Sequence, residues 1–363
     1  MLEKMHNEEN SEKLNKISHD GYEFLKHNDI SRAKEKFEEL LEQEAENQYG
    51  LVGMGDVYRK EGNFQKAVEY YKKCLDFHHE NKYAIIGLAD TYRDLKMFKQ
   101  SIQLWEHFLA LYDSDVTILT RLADAYRKLG DFDNAKKFFL KVFDLEPDNT
   151  YALTGIGYLY FDYKKFDTAL QYWVKMLHIE PNNLRVLTAV GNCYRKKKHY
   201  AEGIDYFERA LSLAPDNFYA YYGLADCYRG VQRYKESCDV WRKLLVLSPN
   251  NKVIMTRLAD SLRNVGDFDE AQHYYEDALD LDFDYYAILG LGLIHKERKE
   301  YSAAIDRLMT LYNMDKANAR IAVEIAECLV ENGQRSDALK FLRGCGKELS
   351  RNNMINEYID KIK

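Results

Sequence analysis

Six arginines stand three residues behind an acid or an amide: Asp56 and Arg59, Asp90 and Arg93, Asp124 and Arg127, Asn192 and Arg195, Asp226 and Arg229, Asp260 and Arg263. On a helix such groups can pair with each other, each pair being worth about 0.2–0.5 kcal/mol. They can equally hold the carboxylates and carbonyls of a bound chain through the guanidinium fork. Exposed pairs of this kind are common, which favours the structural use. Other combinations are weaker. Gly53-x-Gly55, Gly155-x-Gly157 and Gly290-x-Gly292 look like fragments of a dinucleotide-binding loop, but the third glycine is missing and no strand precedes them. Cys74 with His78 and His79 has a spacing that could seat a metal at a helix end. A core cysteine beside two loop histidines explains it better. The ten histidines have no recurring acidic, serine or cysteine companion, so no triad can be assembled. These residues point to no catalytic group, no cofactor and no metal, and the expectation is that the protein is not an enzyme.

The elements that carry these residues are expected to be helices. The chain has 363 residues, 46% of them apolar and 31% charged, a globular balance. Gly (19) and Pro (4) together make about 6% of the chain, roughly half the usual share, which disfavours an all-β protein built on tight turns. The 52 basic and 59 acidic residues leave a net charge of −7, the wrong sign for coating nucleic acid, so no nucleic-acid partner is expected. No run of apolar residues is long enough to span a bilayer, and the polar start MLEKMHNEENSEKLNK lacks the apolar centre of a secretory signal. The six cysteines form no CxxC pair and no close framework. A reduced, cytoplasmic protein without membrane insertion is the plain expectation.

One period organises the whole sequence. Ala33, Ala67, Ala135, Ala169 and Ala271 lie at whole multiples of a single spacing, the step from Ala33 to Ala67. Aromatics flank them, as Phe132 and Phe139 flank Ala135. Leu-Ala-Asp-x-Tyr-Arg recurs at 88–93, 122–127 and 224–229, and the four prolines, Pro147, Pro181, Pro215 and Pro249, follow one another at that same step. Proline at one fixed phase marks a loop where a helix has just ended.

This pattern resembles the tetratricopeptide repeat, a helix–turn–helix of about 34 residues. Leu119, Leu122, Ala123, Tyr126, Ala135, Phe139, Val142 and Pro147 carry the family pattern in one repeat, and Leu153, Ile156, Gly157, Tyr160, Ala169, Trp173, Met176 and Pro181 in the next. In this register about ten units start near residues 14, 48, 82, 116, 150, 184, 218, 252, 285 and 319. The resemblance implies an all-α solenoid, a superhelix of helical pairs over 14–350. Residues 1–13 lack an apolar stripe and are expected to form a flexible N-terminal segment. Met354, Ile355, Tyr358, Ile359 and Ile362 make an amphipathic stripe, expected to be a capping helix over 351–363. A longer echo is also present. Tyr83 through Trp105 returns as Tyr219 through Trp241, and Thr120-Arg121-Leu122-Ala123-Asp124 returns at the same displacement as Thr256-Arg257-Leu258-Ala259-Asp260. The displacement is four periods, as if four repeats had been duplicated.

The resemblance also implies which side chains line the concave face: positions 2, 5, 6, 9, 12 and 13 of the first helix in each repeat. Position 2 supplies Tyr49, Tyr83, Tyr151, Tyr219 and Tyr286, position 6 five glycines (53, 87, 155, 223, 290), and positions 9 and 12 the acid–arginine ladder. Arg121 and Arg257 join the candidate set. Tyr158 and Phe161 interrupt the ladder with an apolar patch. The five glycines are open to two readings, a gap filled by packing or an approach for a ligand. Ser18, Tyr22 and Gly53 stand where a chaperone-tail clamp would need lysine and asparagine. The expected function is a non-enzymatic adaptor or scaffold binding a protein or extended peptide in the concave groove. The alternatives are a regulatory subunit with a folded partner on its outer surface and a single-stranded RNA reader. Oligomeric state is left open by the sequence.

Overall fold

Asparagine or aspartate caps the first helix of every repeat from the second to the tenth. Asn47, Asn81, Asp115, Asn149, Asn183, Asn217, Asn251, Asp284 and Asn318 each accept a backbone N–H from the first turn that follows them. Such caps are worth about 1 kcal/mol each. The computed structural model describes the backbone of residues 2–112, 114–345 and 352–363, with side chains from residue 11. Among these residues it is wholly helical.

The chain forms two compact units, Met1–Ile179 and Glu180–Lys363. Unit 1 holds five helical pairs: α1 (Leu2–Lys26) with α2 (Ile30–Gln43), α3 (Gln48–Lys60) with α4 (Phe64–Phe77), α5 (Lys82–Asp94) with α6 (Phe98–Leu111), α7 (Val116–Lys128) with α8 (Phe132–Leu145), and α9 (Thr150–Asp162) with α10 (Phe166–Ile179). Unit 2 holds five more: α11 (Leu184–Lys196) with α12 (Tyr200–Leu213), α13 (Phe218–Gly230) with α14 (Tyr234–Leu247), α15 (Lys252–Val265) with α16 (Phe268–Leu281), α17 (Tyr285–Glu297) with α18 (Tyr301–Met314), and α19 (Ala319–Glu331) with α20 (Arg335–Gly344). Within each unit every pair packs on the next. Residues 2–13, expected to be flexible, continue α1 upstream of the first repeat.

The segment expected to cap the array contains α21 (Asn353–Lys361), which packs chiefly on α19. Ile355 and Ile362 are buried and Tyr358 and Ile359 half-buried against the last apolar cluster, while Met354 is exposed. Residue 351 of the expected cap segment, and residues 346–350 before it, lie outside the described residues.

Two features fix the pairs, the first in all ten and the second in the first eight. The turn from first to second helix always closes through one residue of positive φ: Asn28, Gly62, Lys96, Gly130, Lys164, Lys198, Gln232, Gly266, Lys299 and Gly333. The next N–H reaches back past it into the first helix, as Asp29 to the Phe24 carbonyl and Asn63 to that of Tyr58, the Schellman closure. The second feature is a large side chain at one phase of the second helix, Phe37, Tyr71, Trp105, Phe139, Trp173, Phe207, Trp241 and Tyr275, all fully buried.

Candidate functional site

The five in-phase glycines are a packing device. A Cβ on Gly53, Gly87, Gly155, Gly223 or Gly290 would lie well inside 3.0 Å of the ring of Phe37, Tyr71, Phe139, Phe207 or Tyr275 from the preceding repeat. Gly55 and Gly191 press on Tyr71 and Phe207 from within the same repeat. The Tyr71 and Phe207 rings are therefore slotted between glycines of consecutive first helices, and the packing alternative holds at position 6. The Gly-x-Gly pairs lie inside α3, α9 and α17. Cys74 is buried, and His78 and His79 hydrogen-bond the carbonyls of Glu46 and Leu75 at 2.8 and 2.7 Å.

The position-2 tyrosines are presented to solvent: Tyr49, Tyr83, Tyr151, Tyr219 and Tyr286 are 46–79% exposed. Tyr158 and Phe161, the apolar interruption, lie against the Trp173 indole with centroids at 5.1 and 5.7 Å.

The ladder pairs mainly across repeats in unit 1. Buried Asp90 receives Arg121 at 2.9 Å, Arg93 of its own helix at 3.4 Å and Arg59 of the preceding repeat at 3.5 Å. Asp94 takes Nε of Arg59 at 3.0 Å and Nη2 of Arg93 at 2.9 Å. Arg127 bridges Asp124 at 2.8 Å and Asp162 at 2.7 Å. Asp56 instead accepts the Tyr71 hydroxyl at 2.6 Å. Asp94 and Asp162 stood outside the candidates read from the sequence. Their constant spacing from Arg59 and Arg127, one period and one position, was the available signal.

Unit 2 repeats the frame with fewer acids. Asp226 receives Arg195 at 2.9 Å and Arg229 at 2.7 Å, and Asp260 accepts the Tyr275 hydroxyl at 2.7 Å. Asn192 replaces the acid at the first rung, and Arg257 and Arg263 make no ion pair among the described residues. At the far end Lys296 closes the ladder on Glu324 and Glu327, at 2.6 and 2.5 Å, a triad also outside the sequence-derived candidates. Five buried N–H groups lack any acceptor among the described residues: the indoles of Trp105 and Trp241, and Nε of Arg195, Arg229 and Arg263.

Burial pushes the carboxyls of Asp56, Asp90 and Asp260 up, and nearby arginines or a tyrosine hydroxyl only partly oppose it. Burial also pushes Asp226 up, but its bonds to Arg229 and Arg195 outweigh that, and it titrates below the usual range. Its contribution to stability is therefore complete above the unfolded-state carboxylate value of about 3.9 and fades as pH falls through the lower folded value. Asp226→Asn should lower the urea midpoint at neutral pH, and the gap from the parent should narrow as pH falls through the lowered folded value of Asp226. A gap independent of pH would refute this assignment.

Family models described as tetratricopeptide repeat match residues 21–78, 116–149, 185–217, 219–251 and 256–312, together more than half of the chain. The solved structure of a tetratricopeptide repeat protein from Parabacteroides merdae aligns with a TM-score of 0.55 at 16% identity, over 69% of this chain and 99% of that one. Pseudomonas aeruginosa pilF aligns with a TM-score of 0.48 at 18% identity, over 60% and 97%. No curated protein matches the sequence.

Proposed function

Since the chain belongs to the tetratricopeptide repeat family, a family of protein-interaction scaffolds, we propose that it is a non-enzymatic adaptor that holds an extended protein segment along the ladder face of its first helices. The observation that carries this reading is the row of exposed tyrosines. Rings of 46–79% exposure recur at one phase on α3, α5, α9, α13 and α17. Tyrosine offers a large, rigid contact area with a polar tip, a side chain favoured at interfaces. The glycines beside them serve internal packing, and most of the arginines serve internal pairing. The tyrosines are what the face presents outward.

No helix among the described residues is long and apolar enough to cross a membrane. The proposed setting is the cytoplasm, in keeping with six free cysteines, all buried.

A photo-crosslinking residue at Tyr83 or Tyr219, compared with one at exposed Lys99 on α6, tests the face. The expected result is a discrete adduct from the two tyrosine positions in host cells and none from Lys99. Adducts from Lys99 alone would move the partner to the outer surface and overturn the groove reading.

A further inference from the structure

The two duplicated blocks share their arginines but only some of their acids. Arg59, Arg93, Arg121 and Arg127 of unit 1 correspond, four periods on, to Arg195, Arg229, Arg257 and Arg263 of unit 2. In unit 1 all four are paired, with Asp90, Asp94, Asp124 and Asp162 as acceptors. In unit 2 Asp226 alone accepts ion pairs from this set, from Arg195 and Arg229. The counterpart of Asp94 is Gly230, and the first rung carries Asn192 where unit 1 has Asp56. Asp260 spends an oxygen on the Tyr275 hydroxyl. Glu297, at the phase of Asp162, makes no ion pair with Arg263 among the described residues.

The consequence is visible atom by atom. Nε of Arg59 and of Arg93 bond Asp94, and Nε of Arg127 bonds Asp124. Nε of Arg195, Arg229 and Arg263, the three corresponding atoms, are buried without an acceptor. Unit 1 neutralises its own ladder, whereas unit 2 holds four guanidinium groups against two carboxylates. Leaving buried donors of a charged group unpaired is costly, so an acceptor supplied from outside gains what unit 1 gets from its own chain. Arg195, Arg229, Arg257 and Arg263 are all half-buried rather than sealed, and they lie on three successive first helices, α11, α13 and α15.

We propose that the ladder face of unit 2, and not that of unit 1, binds an acidic protein segment, whose Asp and Glu carboxylates occupy the places that Asp94 and its neighbours fill in unit 1. This rests on the reading of the chain as a scaffold for an extended segment and names the chemistry of that segment. Carboxylates suit the site better than a phosphate backbone. Asp226 and Asp260 sit among the arginines, and the whole chain carries −7, so a sparse set of carboxylates is matched where a dense polyanion is repelled.

The test uses the full chain and a short fluorescein-labelled peptide rich in Glu and Asp, with its Gln/Asn isostere as control, read by anisotropy. The acidic peptide is expected to bind and the isostere not. Arg229→Gln and Arg263→Gln should each weaken binding by about tenfold or more, because each removes a charged hydrogen-bond partner. A gain-of-function arm removes dependence on the folding of those variants. Asp94→Ala removes the acceptor of Nε of both Arg59 and Arg93 in unit 1, and should create a second binding site there, seen as raised stoichiometry in calorimetry. Equal binding of the isostere, no binding of the acidic peptide, or tighter binding of single-stranded RNA than of the peptide would each overturn the proposal. If the acidic peptide fails while crosslinking at Tyr219 succeeds, the scaffold reading stands and only the charge assignment falls.

Discussion

Replacing Trp173 with alanine should destabilise unit 1 by about 3–5 kcal/mol, the largest single effect expected in the molecule. The indole is fully buried. It lies where a Cβ on Gly157 would fall, backs the rings of Tyr158 and Phe161, and donates Nε1–H to the Thr154 carbonyl at 3.2 Å. Hydrogen exchange, read segment by segment on the full chain, separates the two units. Protection in α9 and α10 should fall by about two to three orders of magnitude, or vanish, while unit 2 keeps its own. A loss below about 1 kcal/mol would show that the ring is not the pin between the paired helices. A milder variant sharpens the assignment. Trp173→Phe loses a made hydrogen bond, whereas Trp105→Phe and Trp241→Phe remove indole donors that have no acceptor, so the first should cost more than the other two.

Gly223→Ala should cost about 1–3 kcal/mol, and the cost should shrink when Phe207 is made smaller. The Phe207 ring is fully buried between Gly191 of its own repeat and Gly223 of the next. A methyl group on Gly223 would be driven into that ring, so either the ring leaves its rotamer or α13 moves away from α12. Alanine is otherwise the better helix former by about 1 kcal/mol, so the steric penalty acts against a favourable background. Phe207→Leu alone should destabilise by opening a cavity, yet Gly223→Ala placed on top of it should be near neutral or stabilising. Chemical denaturation of the parent, the two single variants and the double variant measures the coupling. Additive effects would mean that ring and glycine do not share the space.

The hairpin period was readable because it rests on local chemistry: proline after the second helix, aromatics around a recurring alanine, and alanine or glycine at the close contacts. The helical pairs and the final helix follow from residues such as Ala135, Pro147 and Ile355 without any long-range knowledge. The ladder was only half readable. Asp and Arg three apart do pair in Asp226–Arg229 and Asp124–Arg127. The partners that decide its character, however, come from the next repeat, as in Arg59–Asp94 and Arg195–Asp226. Those depend on how neighbouring first helices stack, which a spacing within one helix does not encode. The same holds for the glycines, whose fillers are rings on the second helix of the preceding repeat, as Phe207 is for Gly223. Nor did the periodicity, which runs unbroken through residue 180, signal the division into two units.

The left-handed residue at every hairpin turn separates two kinds of connection by what they can inherit. Within a pair, ten turns share one closure, and any added residue would break the Schellman hydrogen bonds that seal the first helix. Between pairs the constraint is looser. The connection from α16 to α17 is one residue shorter than that from α14 to α15, yet Asp284 still caps α17 and Gly290 still seats against Tyr275. Natural insertions, deletions and copying events are therefore tolerated at the junctions and punished at the turns. The pair, cut at its junctions, is the segment that can be duplicated, lost or swapped whole, and epitope tags or split sites placed at 282–284 should be carried without loss of the fold.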